Sequence, residues 1–186
     1  MQRLQLLARR VFSLGQVPWR ETLGLMAVAG AVPFLVHLVP WGGTRPLEVH
    51  LLPAFWTAFV AVYLCGFRIG AAVALVGPAI QFVATGLPGA ERVGLMAIEG
   101  VAFAGLAAAL VRRWPGVRWA APLAWLAACA LVVAVQWAVP AFESARPPLE
   151  HYVSTVVSSL AGLGAMLAIN VALVALLPKD RAWDEE

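Results

Sequence analysis

The chain has 186 residues, of which 62% are hydrophobic and 12% charged; soluble globular proteins average about 45–50% and about 25%. Its charges cluster between long apolar runs, which excludes an ordinary soluble fold and points to an integral membrane protein. The net charge of +3 makes no nucleic-acid face, because the basic residues fall in short segments between the runs, where they act as topology signals.

Residues 1–20 come first. Leu4, Leu7, Val11 and Leu14 recur at helical spacing, with Arg3, Arg9 and Arg10 off that stripe. Two readings stay open there: an interfacial helix on an anionic leaflet, or a basic tail. The segment lacks the apolar core and small-residue cleavage site of a secretory leader.

A membrane-spanning helix needs about 20 apolar residues. Six runs qualify or come near: Thr22–Val39, Leu51–Cys65, Ile69–Ala84, Val93–Val111, Ala120–Val139 and Val153–Leu177. The second and third are short. Strand readings fail, because the runs are Ala/Leu/Gly-rich and do not alternate with period two. The expected fold is therefore all-α, an integral bundle of six transmembrane helices over residues 21–178. The cytoplasmic segment 1–20 precedes it and a cytoplasmic tail, 179–186, follows.

Orientation follows from Lys and Arg. Arg3, Arg9, Arg10, Arg20, Arg68, Arg112, Arg113, Arg118, Lys179 and Arg181 share one side, and only Arg45, Arg92 and Arg146 the other. This asymmetry predicts that both termini are cytoplasmic. Trp19, Trp114, Trp119 and Trp183 would then mark the inner interface, and Trp41 and Trp137 the outer one. Pro53 and Pro122 fit the first turns of their helices. Pro33 and Pro78 fall inside runs and free a carbonyl each. Cys65 and Cys129 both lie in apolar runs and are expected as free thiols, with no metal-ligand spacing around them.

Polar residues within the runs carry the functional signal. Glu99 is the one carboxylate placed well inside an apolar run, and an ionisable group at membrane depth is a candidate functional site. It lies about 9 Å from the outer end of the fourth run, at 1.5 Å per residue. His37, His50, Gln81, Gln136, His151 and Tyr152 would fall in the same outer third of the membrane. A few polar groups converging in an apolar wall make a binding site for a small hydrophilic ligand. Glu99 and Gln81 are expected at its floor, the others in its walls, and loops 40–49 and 140–151 over its mouth. Asn170, in the inner half, is expected to bond between helices. Ala27 and Ala31, four apart in the first run, let another helix approach closely and are a candidate docking pair.

Together, the His50-x-x-Pro53 opening, Pro78, the loop Thr85–Gly86–Leu87–Pro88, and Glu99 followed by Gly100, Ala104 and Gly105 resemble the substrate-binding subunits (S components) of energy-coupling factor transporters. Size, six spans and cytoplasmic termini agree with that family, and Ala27-x-x-x-Ala31 is similar to its first-span docking motif. Two departures bear on ligand identity: Phe103 lacks the hydroxyl often found after the Glu, and Phe55 and Trp56 stand where smaller residues are common. The resemblance implies capture of a vitamin-like small molecule at the outer face of a bacterial inner membrane. It also implies a transmembrane coupling subunit and two ATPase subunits as partners. No G-x-x-x-x-G-K-[ST] phosphate loop is present, so ATP would be hydrolysed elsewhere.

Other classes fit less well. Asp180 and Asp184 are confined to the tail, and neither G-x-S-x-G nor H-E-x-x-H occurs, so no enzyme, metal or cofactor is expected. A non-catalytic scaffold of the cell-shape machinery would explain the size and the basic loops. It would not require polar groups at a single depth. The discriminator is whether Gln81, Glu99 and Gln136 face one another.

Overall fold

A computed structural model describes residues 47–85, 90–139 and 147–177, together with residues 23, 24, 27, 28, 31, 32, 35, 36, 39 and 42. The 1–20 segment, His37, the loop 86–89, most of the two mouth loops and the tail lie outside the described residues. Those described are helical or in short connections, with no strand among them.

Seven helices are defined in chain order: α1 (Leu47–Leu51), α2 (Pro53–Cys65), α3 (Phe67–Thr85), α4 (Ala90–Arg113), α5 (Ala120–Ala138), α6 (Pro148–Ser158) and α7 (Leu160–Leu176). Leu23, Gly24, Ala27, Val28, Ala31, Val32, Leu35 and Val36 are also helical, in the first apolar run. Within the described residues α4, from Arg92, and α5 are long and apolar enough to cross a membrane. The α6–α7 pair adds a third span if the two count as one.

Local sequence explains the boundaries. Pro53 opens α2, where the missing N–H is one that no helix satisfies internally. Gly66 alone separates α2 from α3, at a φ of 82°, a backbone angle that favours glycine. Its N–H bonds the Val62 carbonyl at 2.9 Å and closes the end of α2. Between α4 and α5, Pro115 and Gly116 break the helix and the Val117 N–H returns to the Trp114 carbonyl (3.0 Å).

The expected sixth span is not one straight helix. It breaks at Ser159 with a bend of 60° between α6 and α7. The His50 Nδ1–H donates to the Ser158 carbonyl at 2.6 Å, engaging an oxygen that an unbroken helix would offer to the Gly162 N–H. Insertion of a side chain into the helical ladder is a recognised cause of a sharp bend. A second break lies beside it. Leu52, between α1 and α2, sits in the left-handed region at φ 55°, ψ 44°, a conformation that costs a non-glycine residue about 1–2 kcal/mol.

Helices in lipid associate through close packing, because the hydrophobic effect supplies no drive between them. Accordingly, small residues line the contacts. Ala58 and Ala61 of α2, Ala104 and Ala107 of α4, and Ala120, Ala121, Ala124 and Ala128 of α5 are fully buried. They enclose Phe59, Phe103, Trp125 and Met166. A Cβ on Gly100 would come 3.0 Å from the Ala74 Cβ and 3.4 Å from its carbonyl oxygen. That carbonyl is the one Pro78 leaves without its helical donor, so α3 meets α4 at its freed oxygen.

Candidate functional site

Glu99 lies on α4 one turn before the fully buried Phe103. The Phe55 ring, from α2, meets Phe103 edge-on (centroids 5.1 Å apart, 82° between planes) and Trp125 of α5 at 6.4 Å and 76°. Edge-to-face geometry suits the positive rim and negative face of aromatic rings. Three helices therefore meet in an aromatic cluster, with the Glu99 carboxyl drawn in beside the Trp125 indole. Cys129, one turn along α5, lies within electrostatic range of the same carboxyl.

The cluster is polar but incompletely bonded. The Trp125 side chain is 1% exposed, and its Nε1–H, though turned toward Glu99, meets no acceptor with hydrogen-bond geometry. The buried Trp56 Nε1 and Gln136 Oε1 also have no partner. Trp125, Cys129, Val132 and Gln136 follow the i, i+4, i+7, i+11 stripe of α5. Gln136 therefore shares the helix face of Trp125 and Cys129, about 10 Å beyond Cys129 and about 16 Å beyond Trp125 along the helix. The Gln81 side chain lies outside the described ones; its backbone is helical within α3.

His50, Tyr152 and His151 occupy other settings. His50 ties α1 to the break at Ser158. The Tyr152 hydroxyl donates to the Leu126 carbonyl at 3.4 Å, next in sequence to Trp125 on α5. This bond joins α6, on the near side of the 60° bend at Ser159, to α5. His151, half-buried in the first turn of α6, accepts from the Thr155 hydroxyl through its carbonyl (2.9 Å). Ala27 and Ala31 are helical and exposed.

Trp56 and Trp125 were not among the expected site residues, although a signal for them exists. The chain has eight tryptophans; six lie at run ends, and only these two lie inside runs. An indole N–H within an apolar run must find an acceptor or remain unsatisfied. Asn170 behaves as expected: its Oδ1 accepts from the Ala121 N–H (2.9 Å) and its Nδ2 donates to the Val117 carbonyl (3.0 Å). It thus joins α7 to the first turn of α5, whose Trp119 cap residue makes no side-chain cap bond.

Comparison with known proteins finds no matching family model, no matching curated protein and no matching solved structure.

Proposed function

We propose that this chain is the substrate-capture subunit (S component) of an energy-coupling factor importer, binding a vitamin-like small molecule from the outer face of a bacterial inner membrane. One observation carries the reading. Two buried polar atoms, Trp56 Nε1 and Gln136 Oε1, have no partner, and Gln136 shares a helix face with Trp125, whose indole turns to Glu99. A buried polar group left unpaired costs about 1–3 kcal/mol. A bound molecule that pairs these atoms recovers that cost, and the aromatic wall of Phe55, Phe103 and Trp125 gives it an apolar surface.

Glu99 and Gln81 form the floor of the site, with His50, Gln136, His151, Tyr152 and His37 assigned to its surroundings. A transmembrane coupling subunit docks on the Ala27–Ala31 stripe, which is exposed along the first helical segment, and two ATPase subunits supply the energy. The chain has no catalytic, cofactor or metal role of its own in this scheme.

The test is native mass spectrometry of the protein released from detergent, followed by incubation with a vitamin panel. A retained small molecule, lost when Glu99→Ala and Gln81→Leu are combined, is the expected result. A spectrum without any bound molecule after the full panel overturns the reading in favour of the scaffold.

A further inference from the structure

We infer that the connection between α4 and α5 binds the headgroup of an anionic phospholipid through Arg112, Arg113 and Arg118, flanked by Trp114 and Trp119. The inference stands apart from the capture reading and rests only on the membrane character of these two helices. Among the described residues, α4, from Arg92, and α5 are each long and apolar enough to cross a bilayer, and only residues 114–119 join them. So short a connection between two spans lies at one membrane surface, at the depth of the lipid headgroups. Its charge is one-sided. All three arginines are exposed, and no Asp or Glu occurs between Glu99 and Glu143, so neither the connection nor the adjoining turns carry an offsetting carboxylate. A guanidinium fork can pair with two phosphate oxygens at once. Trp114 and Trp119 are 51% and 50% exposed, which leaves each an indole face for the boundary between headgroup and acyl chain. A soluble anion would use the charges and leave both indoles in water, whereas a lipid uses both.

The backbone that carries these groups is fixed from within. The Val117 N–H bonds the Trp114 carbonyl at 3.0 Å, closing a turn with Arg113 just before it and Arg118 just after it. The fully buried Asn170 bonds the Val117 carbonyl and the Ala121 N–H, on either side of Arg118 and Trp119. A topology signal needs only charge on the correct side. A turn pinned by a buried amide does more, because it presents Arg113 and Arg118 from an ordered backbone and so lowers the ordering cost of binding.

Native mass spectrometry of the detergent-purified protein with phosphatidylglycerol, phosphatidylcholine or inorganic phosphate added tests this. Phosphatidylglycerol should be retained about tenfold more strongly than phosphatidylcholine or better, and a large excess of inorganic phosphate should not displace it. Combining Arg112→Gln, Arg113→Gln and Arg118→Gln should weaken retention about a hundredfold, at roughly fivefold for each arginine. Trp114→Ala with Trp119→Ala should weaken it severalfold at constant charge. Arg92→Gln, at the other end of α4, should leave retention unchanged. Thermal unfolding of the arginine variants should match the parent, because the replaced side chains are exposed. Equal retention of the two lipids, displacement by phosphate, or a triple-arginine or double-tryptophan variant that holds phosphatidylglycerol like the parent overturns the inference. So does a loss in Arg92→Gln as large as that in the triple variant, which would trace binding to net charge alone.

Discussion

The two ends of the α4–α5 hairpin use the same residue types and reach opposite outcomes. Toward the Arg112–Arg113 end, alanines 104, 107, 120, 121, 124 and 128 are fully buried and the polar side chains are paired. Asn170 bonds Ala121 and Val117, and the Tyr63 hydroxyl donates to the Leu177 carbonyl at 2.7 Å. Toward the Arg92 end, Trp137 is 81% exposed and Val83 84%, and Gln136 keeps an unpaired buried oxygen. Glu99 and Trp125 lie where the closed half gives way to the open one. Polar residues in the closed half bond the helices to one another. At and beyond the boundary some polar groups are paired, as His50 and Tyr152 are, whereas among the described residues the Gln136 Oε1 is not.

The largest expected effect tests the closed framework. A Cβ on Gly162 would come within 2.8 Å of the Leu51 carbonyl carbon and oxygen, a backbone obstacle that cannot rotate away. Gly162→Val should therefore force α1 off α7 and cost about 3 kcal/mol or more, seen as a large drop in the thermal unfolding midpoint in detergent. Gly164, two residues on, has nothing within 4 Å. Gly164→Ala should be unchanged or up to about 1 kcal/mol more stable, from helix propensity alone. Equal behaviour of the two variants would show that α1 does not rest on α7.

Asn170→Leu comes next. It removes the acceptor for the Ala121 N–H and the donor to the Val117 carbonyl, at a cost of about 1–3 kcal/mol for groups left buried and unpaired. Loss of hydrogen-exchange protection should concentrate in the first turn of α5. A uniform loss over the whole bundle, or none, would remove Asn170 from its role as the link between α7 and α5.

These examples also show how far the residues alone could lead. Pro53, Pro115 and Gly116 mark helix ends through local chemistry, so α2, α4 and α5 begin and end close to where the apolar runs predicted. Asn170 was legible because one amide in an apolar run needs a partner wherever the fold finds one. The break at Ser159 was not legible: Val153–Leu177 is a continuous apolar run, and the bend depends on His50, remote in sequence, reaching the Ser158 carbonyl. Glu99 stood out by charge, whereas Trp125 did not, because tryptophan near a membrane usually marks an interface.

The smallest effect has the opposite sign. Replacing a well-bonded amide destabilises a bundle, but Gln136 has an oxygen that finds no donor. Gln136→Leu removes a group that burial penalises and keeps similar bulk, so the unliganded protein should be unchanged or more stable by up to about 1 kcal/mol. If the capture proposal holds, the molecule found by native mass spectrometry should bind at least severalfold more weakly, because a donor on it loses an acceptor. Asn170→Leu lowers stability through a bond the chain makes to itself, whereas Gln136→Leu lowers only binding, and this crossing of signs separates the two halves. A Gln136→Leu protein that unfolds earlier, with its binding intact, would place Gln136 with Asn170 among the residues that hold the helices together.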